Sequence, residues 1–338
     1  MSADDVPAAL AELLVAIDPA RDRKLAAELL ATAAGLAGDD ADPLDLKIAT
    51  AALTEMRTAF DTFAPYRHIP KVTVFGSART RMDDPLYEQA RAVAAALAAA
   101  GWMVVTGAGP GIMQAASEGA GREHTFGVNI RLPFEQGANP VIARDPKLVS
   151  MKYFFTRKLM LIKESKAFVS LPGGFGTLDE TFELLTLTQT GKGMPVPIVL
   201  LDTPGDTYWA GALAFVRDEL LVRGLIEQSD LDLVHVTSDV DDVVAHIARF
   251  YRNYDSIRFV GKELVIRVKH APNDAQLADL NERFAYLCAT GSIARSAAMK
   301  AEIDDGDRLE LARLRLTFGM RHYSGLRQLI DALNDIAP

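Results

Sequence analysis

The chain has 338 residues, of which 49% are hydrophobic, and its formal net charge at pH 7 is -9. That length and apolar content suffice for one large or two modest folded domains, and the negative charge argues against broad binding to nucleic acids or anionic membranes. The single cysteine, Cys288, excludes an intrachain disulfide and a four-thiolate zinc site, which suits a reducing cytoplasm.

Residues 1–66 are predicted to be an N-terminal helical segment, because apolar positions recur at helical spacing without a β-branched run. The segment carries Asp4 and Asp5 where a secretory signal places positive charge, and no apolar run reaches the ~18 residues that span a bilayer. We therefore expect a cytoplasmic protein that does not insert into membranes. Asp42 followed by Pro43 predicts the start of the segment's last helix.

A central domain is predicted over residues 67–253, where short β-rich runs alternate with helical stretches. This alternation is typical of an α/β fold with a Rossmann-like, doubly wound parallel sheet. Residues 254–338 are predicted to be a mixed α/β C-terminal extension. The predicted strands are 72–75, 102–106, 126–130, 167–171, 196–201 and 233–236, a helix is predicted at 239–251, and in the extension a strand or hairpin at 258–269 precedes helices near 273–290 and 306–336.

Two glycine-rich turns stand where a predicted strand ends and a helix begins. The first turn contains Gly107, Gly109 and Gly111, and the second contains Gly173, Gly174 and Gly176. Turns without Cβ atoms let backbone N–H groups approach an anion, and the helix dipole adds partial positive charge. Two such turns face each other across a crevice at the carboxyl ends of the strands. Tight turns and close helix packing are the alternative explanation for these glycines.

The spacing around the first turn argues against two common nucleotide sites. A dinucleotide-binding turn needs a third glycine where Ile112 stands and an acidic residue about 20 residues later, but that region offers Asn129 and Arg131. The ATP-type loop fails as well, because neither later Gly-Lys pair has the upstream glycine or the following Ser or Thr. The six histidines are scattered without the paired helical spacing of zinc hydrolases, so metal catalysis would have to rest on carboxylates alone, and no metal-binding residues are predicted.

Charged side chains flank the second turn. Glu180 follows Thr177 at the spacing of a capping box, in which it would only satisfy a backbone amide. The alternative is a carboxylate beside the anion site, which requires an accompanying cation. Arg157 and Lys158 supply such a cation. The helix that carries Arg157 rises ~12 Å after this residue, and the following strand runs back over ~13 Å, so Arg157 lies at the level of the second turn. On their own, these two residues would indicate an exposed helix face.

Arg157-Lys158 followed by Pro-Gly-Gly-Phe-Gly-Thr-Leu-Asp-Glu at 172–180 resembles the signature of the LOG (Lonely Guy) family. Its members are cytokinin riboside 5′-monophosphate phosphoribohydrolases and bacterial nucleotide nucleosidases, often mislabelled lysine decarboxylases. The resemblance covers about residues 70–250, including the Val-Phe-Gly-Ser strand end at 74–77. Both extensions lie outside the short members. A departure is Phe154, where short members commonly have methionine, so base selectivity is the least transferable property.

The resemblance implies hydrolysis of the N-glycosidic bond of a nucleoside 5′-monophosphate, which releases free base and ribose 5-phosphate. Arg157 and Glu180 are the implied catalytic residues, no cofactor is expected, and a homodimer or larger homo-oligomer is implied. The residues predicted to bind the phosphate or nucleotide are Gly76, Ser77, Gly107, Gly109, Gly111, Met113, Lys158, Gly173, Gly174, Gly176, Thr177 and Glu183.

Two other functions stay open at this point. A non-catalytic carrier or sensor of a nucleotide or of the molybdenum cofactor would keep the glycine turns without needing Glu180. A pyridoxal-phosphate decarboxylase would need a Schiff-base lysine, for which Lys158, Lys163 and Lys166 are available.

Overall fold

A computed structural model describes residues 12–13, 15–16, 22–38, 40–131 and 137–336. The chain forms two compact units, Met1–Thr58 and Ala59–Pro338. Helix α1 spans Arg23–Gly38, and α2 spans Pro43–Phe63, so its last turn belongs to the second unit. The backbone N–H of Leu44 donates to Asp42 Oδ1 over 2.7 Å, which confirms the predicted start of α2. The helical prediction for 1–66 also falls partly on residues outside those described.

The second unit contains seven parallel strands. They are β1 Lys71–Phe75, β2 Met103–Thr106, β3 Thr125–Ile130, β4 Leu148–Met151, β5 Ala167–Ser170, β6 Ile198–Leu201 and β7 Val234–Thr237. Their order in the sheet is β4-β3-β2-β1-β5-β6-β7. Each of the six predicted strands of the central domain is present, with small differences at its ends. β4 was not predicted.

Helices cover both faces of this sheet, which confirms the doubly wound α/β fold. They are α3 Pro85–Ala99, α4 Ile112–Ala120, α5 Phe154–Lys163, α6 Phe175–Gln189, α7 Tyr208–Phe215 and α8 Val240–Phe250. On one face, Val72 and Val74 of β1 join a buried apolar cluster with residues of α3, α4 and α8. On the other face, Thr73 Oγ1 donates to the Leu161 carbonyl of α5 over 2.9 Å. Alternation of side chains along β1 therefore places helices on opposite sides.

The sheet reverses its winding direction at β1. This strand pairs with β2 on one side and with β5 on the other. The loops that follow such neighbouring strands leave a crevice at the carboxyl ends. The loop after β1 and the two glycine turns after β2 and β5 all begin at this edge.

The C-terminal extension contains a second, antiparallel sheet. Its elements are β8 Tyr254–Val260, β9 Glu263–Val268, α9 Asp274–Phe284, β10 Cys288–Ser296, α10 Lys300–Asp304, β11 Ala312–Phe318 and α11 Tyr323–Asp335. The sheet order is β10-β11-β9-β8. The predicted hairpin at 258–269 is confirmed as β8 and β9. The domain boundaries at 66 and 253 stay a prediction.

Part of the helix predicted over 306–336 is wrong, because β11 occupies its first half. Leu314 and Leu316 alternate into the extension's apolar core, whereas Arg313, directly before Leu314, points to the opposite face and donates to the buried carboxylate of Glu302 over 3.2 Å. The end of the predicted helix 273–290 is wrong for the same reason, since β10 begins at Cys288. Among the described residues, no helix has both the length and the apolar character needed to cross a bilayer.

Candidate active site

A crevice of about 780 Å³ opens at the carboxyl edge of β1, β2 and β5, within the second unit. Its volume lies in the range of small-molecule sites in proteins. Most of the predicted site residues line it: Gly76, Ser77, Gly107, Gly109, Met113, Arg157, Gly173, Gly174, Gly176, Thr177 and Glu180. Gly111, Lys158 and Glu183 are not among the lining residues.

The first glycine turn is fixed against the loop that follows β1. The backbone N–H of Ile112, the first residue of α4, donates to the Ser77 carbonyl over 3.0 Å. Gly111 has a φ of 64°, and a Cβ on it would collide with that same carbonyl oxygen. Glycine is therefore required at this position, which shapes the turn from behind the crevice surface.

Asn139 holds the carbonyl groups of the first turn away from the crevice. This residue is only 4% exposed. Its backbone N–H donates to the Ala108 carbonyl over 2.8 Å, and its side-chain Nδ2 donates to the Gly109 carbonyl over 3.2 Å. In a trans peptide the N–H points opposite to the C=O, so the N–H of Gly109 is directed toward the crevice that Gly109 lines. Sequence reasoning missed Asn139, which lies 30 residues from Gly109.

The second glycine turn leads directly into α6 with Gly174 as its N-cap, and no side chain caps this helix end. The backbone N–H groups in the first helical turn of α6 are therefore available to a ligand. The capping-box interpretation of Thr177 and Glu180 is wrong, because both residues lie inside α6. The Tyr208 hydroxyl donates to the Gly173 carbonyl over 2.6 Å and fixes the turn from the side of α7.

Arg157 lines the crevice and is buried. Its Nε donates to the Val128 carbonyl of β3 over 3.0 Å, and its Nη1 donates to Glu180 Oε1 over 3.2 Å. The guanidinium packs against Gly107, and a Cβ at that position would collide with Nη2. Gly107 therefore admits the arginine as well as forming the turn, and the predicted meeting of Arg157 with Glu180 is present.

Burial of Glu180 raises its pKa from an ordinary 4.5 to about 7, although the positive charge of Arg157 works in the opposite direction. Desolvation disfavours the charged form of a carboxylic acid, and here it outweighs the nearby cation. A group with a pKa near neutrality exchanges protons readily in both directions, as general acid–base catalysis requires.

Lys158 turns away from the crevice and pairs with two carboxylates. Its Nζ lies 2.7 Å from Asp179 Oδ2 and 2.8 Å from Glu183 Oε2. Burial works to lower the pKa of Lys158, but the hydrogen bonds that it donates to these two carboxylates raise that pKa overall. The structure thus places Lys158 and Glu183 together behind the crevice, as a charged brace between α5 and α6.

The lining residues that were not predicted as site residues include Arg79 in the loop after β1, Phe175 at the first position of α6 and Tyr208 at the start of α7. The first two lie within two residues of predicted site positions, whereas nothing in the local sequence marks Tyr208. No lysine lines the crevice in the described part of the chain, and the described residues contain no cluster of three or more His, Cys, Asp or Glu able to hold a metal ion.

Sequence comparison identifies relatives of this chain with one shared name. A family profile described as "Possible lysine decarboxylase" matches residues 111–247. A cytokinin riboside 5′-monophosphate phosphoribohydrolase of Mycobacterium marinum is 32% identical over 162 residues, which cover 47% of this chain and 83% of that protein. The Arabidopsis thaliana enzyme of the same name, LOG7, is 29% identical over 118 residues, covering 34% of this chain and 52% of the relative. The match thus spans between about half and four fifths of these relatives.

Solved structures that match part of this chain include two molybdenum-cofactor proteins. The molybdenum cofactor binding protein of Rippkaea orientalis is 19% identical with a TM-score of 0.38, and the match covers 52% of this chain and 94% of that one. The molybdenum cofactor carrier protein of Chlamydomonas reinhardtii is 23% identical with a TM-score of 0.36 at the same coverage. The fold class rests on the strand order of the chain itself.

Proposed function

Because this chain belongs to the LOG family of cytokinin riboside 5′-monophosphate phosphoribohydrolases, we propose that it hydrolyses the N-glycosidic bond of nucleoside 5′-monophosphates. The products are the free base and ribose 5-phosphate. One observation carries the proposal: the carboxyl group of Glu180, with its pKa raised to about 7, lies beside Arg157 in a crevice bounded by two glycine turns.

The chemistry requires a group that stabilises positive charge on the sugar. As the bond between C1′ and the base breaks, the ribose acquires oxocarbenium character, and a nearby carboxylate stabilises that charge. In its ionised form Glu180 also removes a proton from the attacking water, whose oxygen forms the new bond to C1′. The base leaves with the bonding electron pair and takes up a proton. Arg157 keeps Glu180 in place and positions the phosphosugar.

The phosphate would bind to the amides of the two glycine turns. Gly109 directs its N–H toward the crevice, because the Ala108 carbonyl of the same peptide is held by the backbone N–H of Asn139, and the uncapped start of α6 presents further amides. Helix N-termini attract anions through these N–H groups and through the partial charge of the helix dipole. A phosphate held there fixes the register of the ribose relative to Glu180.

Two alternative functions fit the crevice less well. A carrier of a nucleotide or of the molybdenum cofactor has no need for a buried carboxylate with a raised pKa beside an arginine. A pyridoxal-phosphate decarboxylase requires a lysine in the site, whereas the lysine nearest in sequence to the catalytic arginine, Lys158, is engaged with Asp179 and Glu183. Both observations favour the hydrolase.

The test is a panel of AMP, CMP, GMP and UMP, with free base and ribose 5-phosphate measured as products. We expect turnover by the native chain and a loss of about 10² to 10⁴ in kcat for Glu180→Gln. Glu118→Gln is the matched control, since this exposed residue on α4 does not line the crevice and accepts a hydrogen bond from Gln114 across one helical turn. Undiminished ribose 5-phosphate release by Glu180→Gln would refute the assignment, and nucleotide binding without base release would favour the carrier.

A further inference from the structure

Three charged side chains line the crevice within the described part of the chain: Arg79, Arg157 and Glu180. Arg157 already donates to Glu180 and to the Val128 carbonyl. The guanidinium of Arg79, in contrast, pairs with no carboxylate among the described residues, and the residue is exposed. Among the described residues that line the crevice, Arg79 is therefore the cation without an anionic partner.

The loop that carries Arg79 is anchored between the two glycine turns. Ser77 accepts a hydrogen bond at its carbonyl from Ile112 of α4, over 3.0 Å, and another at its Oγ from the backbone N–H of Arg79, over 3.1 Å. On its other side, the Ser77 nitrogen lies 3.0 Å from the position that a Cβ on Gly173 would occupy. The contacts of Ser77 with both turns thus fix the backbone two residues before Arg79, and the Arg79 side chain is exposed and lines the crevice.

A phosphate monoester brings more negative charge than the turns alone neutralise. It carries about -1.5 to -2 charges at pH 7, whereas a helix N-terminus supplies roughly +0.5. Glu180 adds further negative charge when it is ionised. An arginine offers a planar fork of N–H donors that matches two phosphate oxygens, and such charge-assisted pairs are among the stronger hydrogen bonds.

We propose that Arg79 closes on the phosphate of the substrate and sets the preference of this crevice for nucleoside 5′-monophosphates over unphosphorylated nucleosides. The inference rests on the proposed function for its substrate class but not on the hydrolytic step. Arg79 contacts the phosphate equally before and during bond cleavage, so its removal weakens binding without slowing the chemical step. The effect therefore appears in KM and in the dissociation constant of phosphorylated ligands, and kcat is retained.

The experiment compares the native chain with Arg79→Ala, Arg79→Lys and the control Arg81→Ala. Arg81 belongs to the same loop, pairs with Asp83 over 2.9 Å and does not line the crevice. KM and kcat are measured with AMP, and calorimetry measures the dissociation constants of ribose 5-phosphate and adenosine. We expect Arg79→Ala to raise KM and the ribose 5-phosphate dissociation constant about 10- to 100-fold. Arg79→Lys should retain part of the affinity, and adenosine binding and Arg81→Ala should be unaffected.

Several results would overturn the assignment of Arg79: unchanged affinity for ribose 5-phosphate in Arg79→Ala, an equal loss of adenosine affinity, or an equal effect of Arg81→Ala. Binding of ribose 5-phosphate that depends on Arg79, without turnover of any nucleotide, would support the assignment and refute the hydrolase. Turnover of AMP with a KM indifferent to Arg79 would refute the assignment alone. Absence of any binding of ribose 5-phosphate to the native chain would refute the assignment of Arg79, and absence of any nucleotide turnover would refute the hydrolase.

Discussion

Burial favours the neutral form of Glu180, whereas the proposed reaction uses the ionised form. The raised pKa of Glu180 therefore makes the free energy of unfolding depend on pH. Its pKa is about 7 in the folded chain and near the ordinary 4.5 in the unfolded chain, so between these pH values the folded chain binds a proton that the unfolded chain has released. The free energy of unfolding therefore falls as pH rises through this window, by up to ~3 kcal/mol. Glu180→Gln removes the titration, and its stability between pH 5 and pH 8 should vary less by about that amount.

Urea unfolding at the two pH values measures this difference, with Glu118→Gln as the matched control. An identical pH dependence in the native chain and in Glu180→Gln would contradict the raised pKa.

Arg157 determines where on the pH scale the site becomes active. Its positive charge lowers the pKa of Glu180 against the effect of burial. Since the proposed reaction uses ionised Glu180, kcat/KM should rise with pH and level off above about 7. Arg157→Ala removes the opposing charge, so the rise should move to higher pH in addition to a loss of rate.

The pH–rate profile of Arg157→Lys serves as the comparison, because lysine keeps the charge and loses the planar fork. A rise at the same pH in Arg157→Ala and in the native chain would show that the arginine does not act on Glu180.

At the scale of elements, the first glycine turn depends on a residue from a different loop. The Asn139 side chain draws the Gly109 carbonyl away from the crevice, and removing it lets a repulsive oxygen face an anion. Asn139→Ala should therefore raise KM for AMP about tenfold and leave the pH midpoint of Glu180 unchanged. Steady-state kinetics across pH tests both expectations, and a shifted midpoint would mean that the whole crevice has rearranged.

The elements that could be predicted from sequence are those whose pattern is local. Glycines at two strand ends and the alternation of β-rich and helical runs predicted the parallel sheet and the crevice. The match between the rise of the helix and the length of the following strand predicted the meeting of Arg157 with Glu180. The contribution of Asn139 could not be predicted, because it depends on how a distant loop folds back. β11 was misread as helix since its polar positions include Arg313, whose partner Glu302 is buried on another element. Such pairing becomes visible only in three dimensions.

At the scale of the whole molecule, α11 connects the C-terminal extension to the central sheet. Arg327 Nη1 donates to the Val196 carbonyl just before β6, over 3.2 Å. Near the other end of the helix, Asn334 Oδ1 accepts hydrogen bonds from the backbone N–H groups of Asn253 and Tyr254, over 2.9 and 2.8 Å. Residues 59–338 accordingly form one compact unit, and we expect them to unfold in a single transition.

Asn334→Ala leaves the two buried amides of Asn253 and Tyr254 without an acceptor. We expect a loss of about 2 to 4 kcal/mol in the free energy of unfolding. Asp335→Ala is the matched control, because this neighbouring side chain forms exposed ion pairs with Arg249 and Arg252. Its effect should stay below about 1 kcal/mol. Denaturation monitored by circular dichroism measures both, and equal effects would contradict a stabilising role of the buried hydrogen bonds to Asn334.

Light scattering would measure the mass of the predicted homo-oligomer.

The N–H of Gly109, directed into the crevice by the bond from the Asn139 backbone to the Ala108 carbonyl, belongs to the peptide backbone rather than to a side chain. Replacing residues around such a group by alanine leaves the donor in place, so conventional mutagenesis of the turn reports changes of shape and not the loss of a contact. Only an ester in place of that single amide, introduced by chemical synthesis or by an α-hydroxy acid, would delete the donor itself. The affinity that such a substitution removes would be the direct measure of what this part of the main chain contributes to recognition.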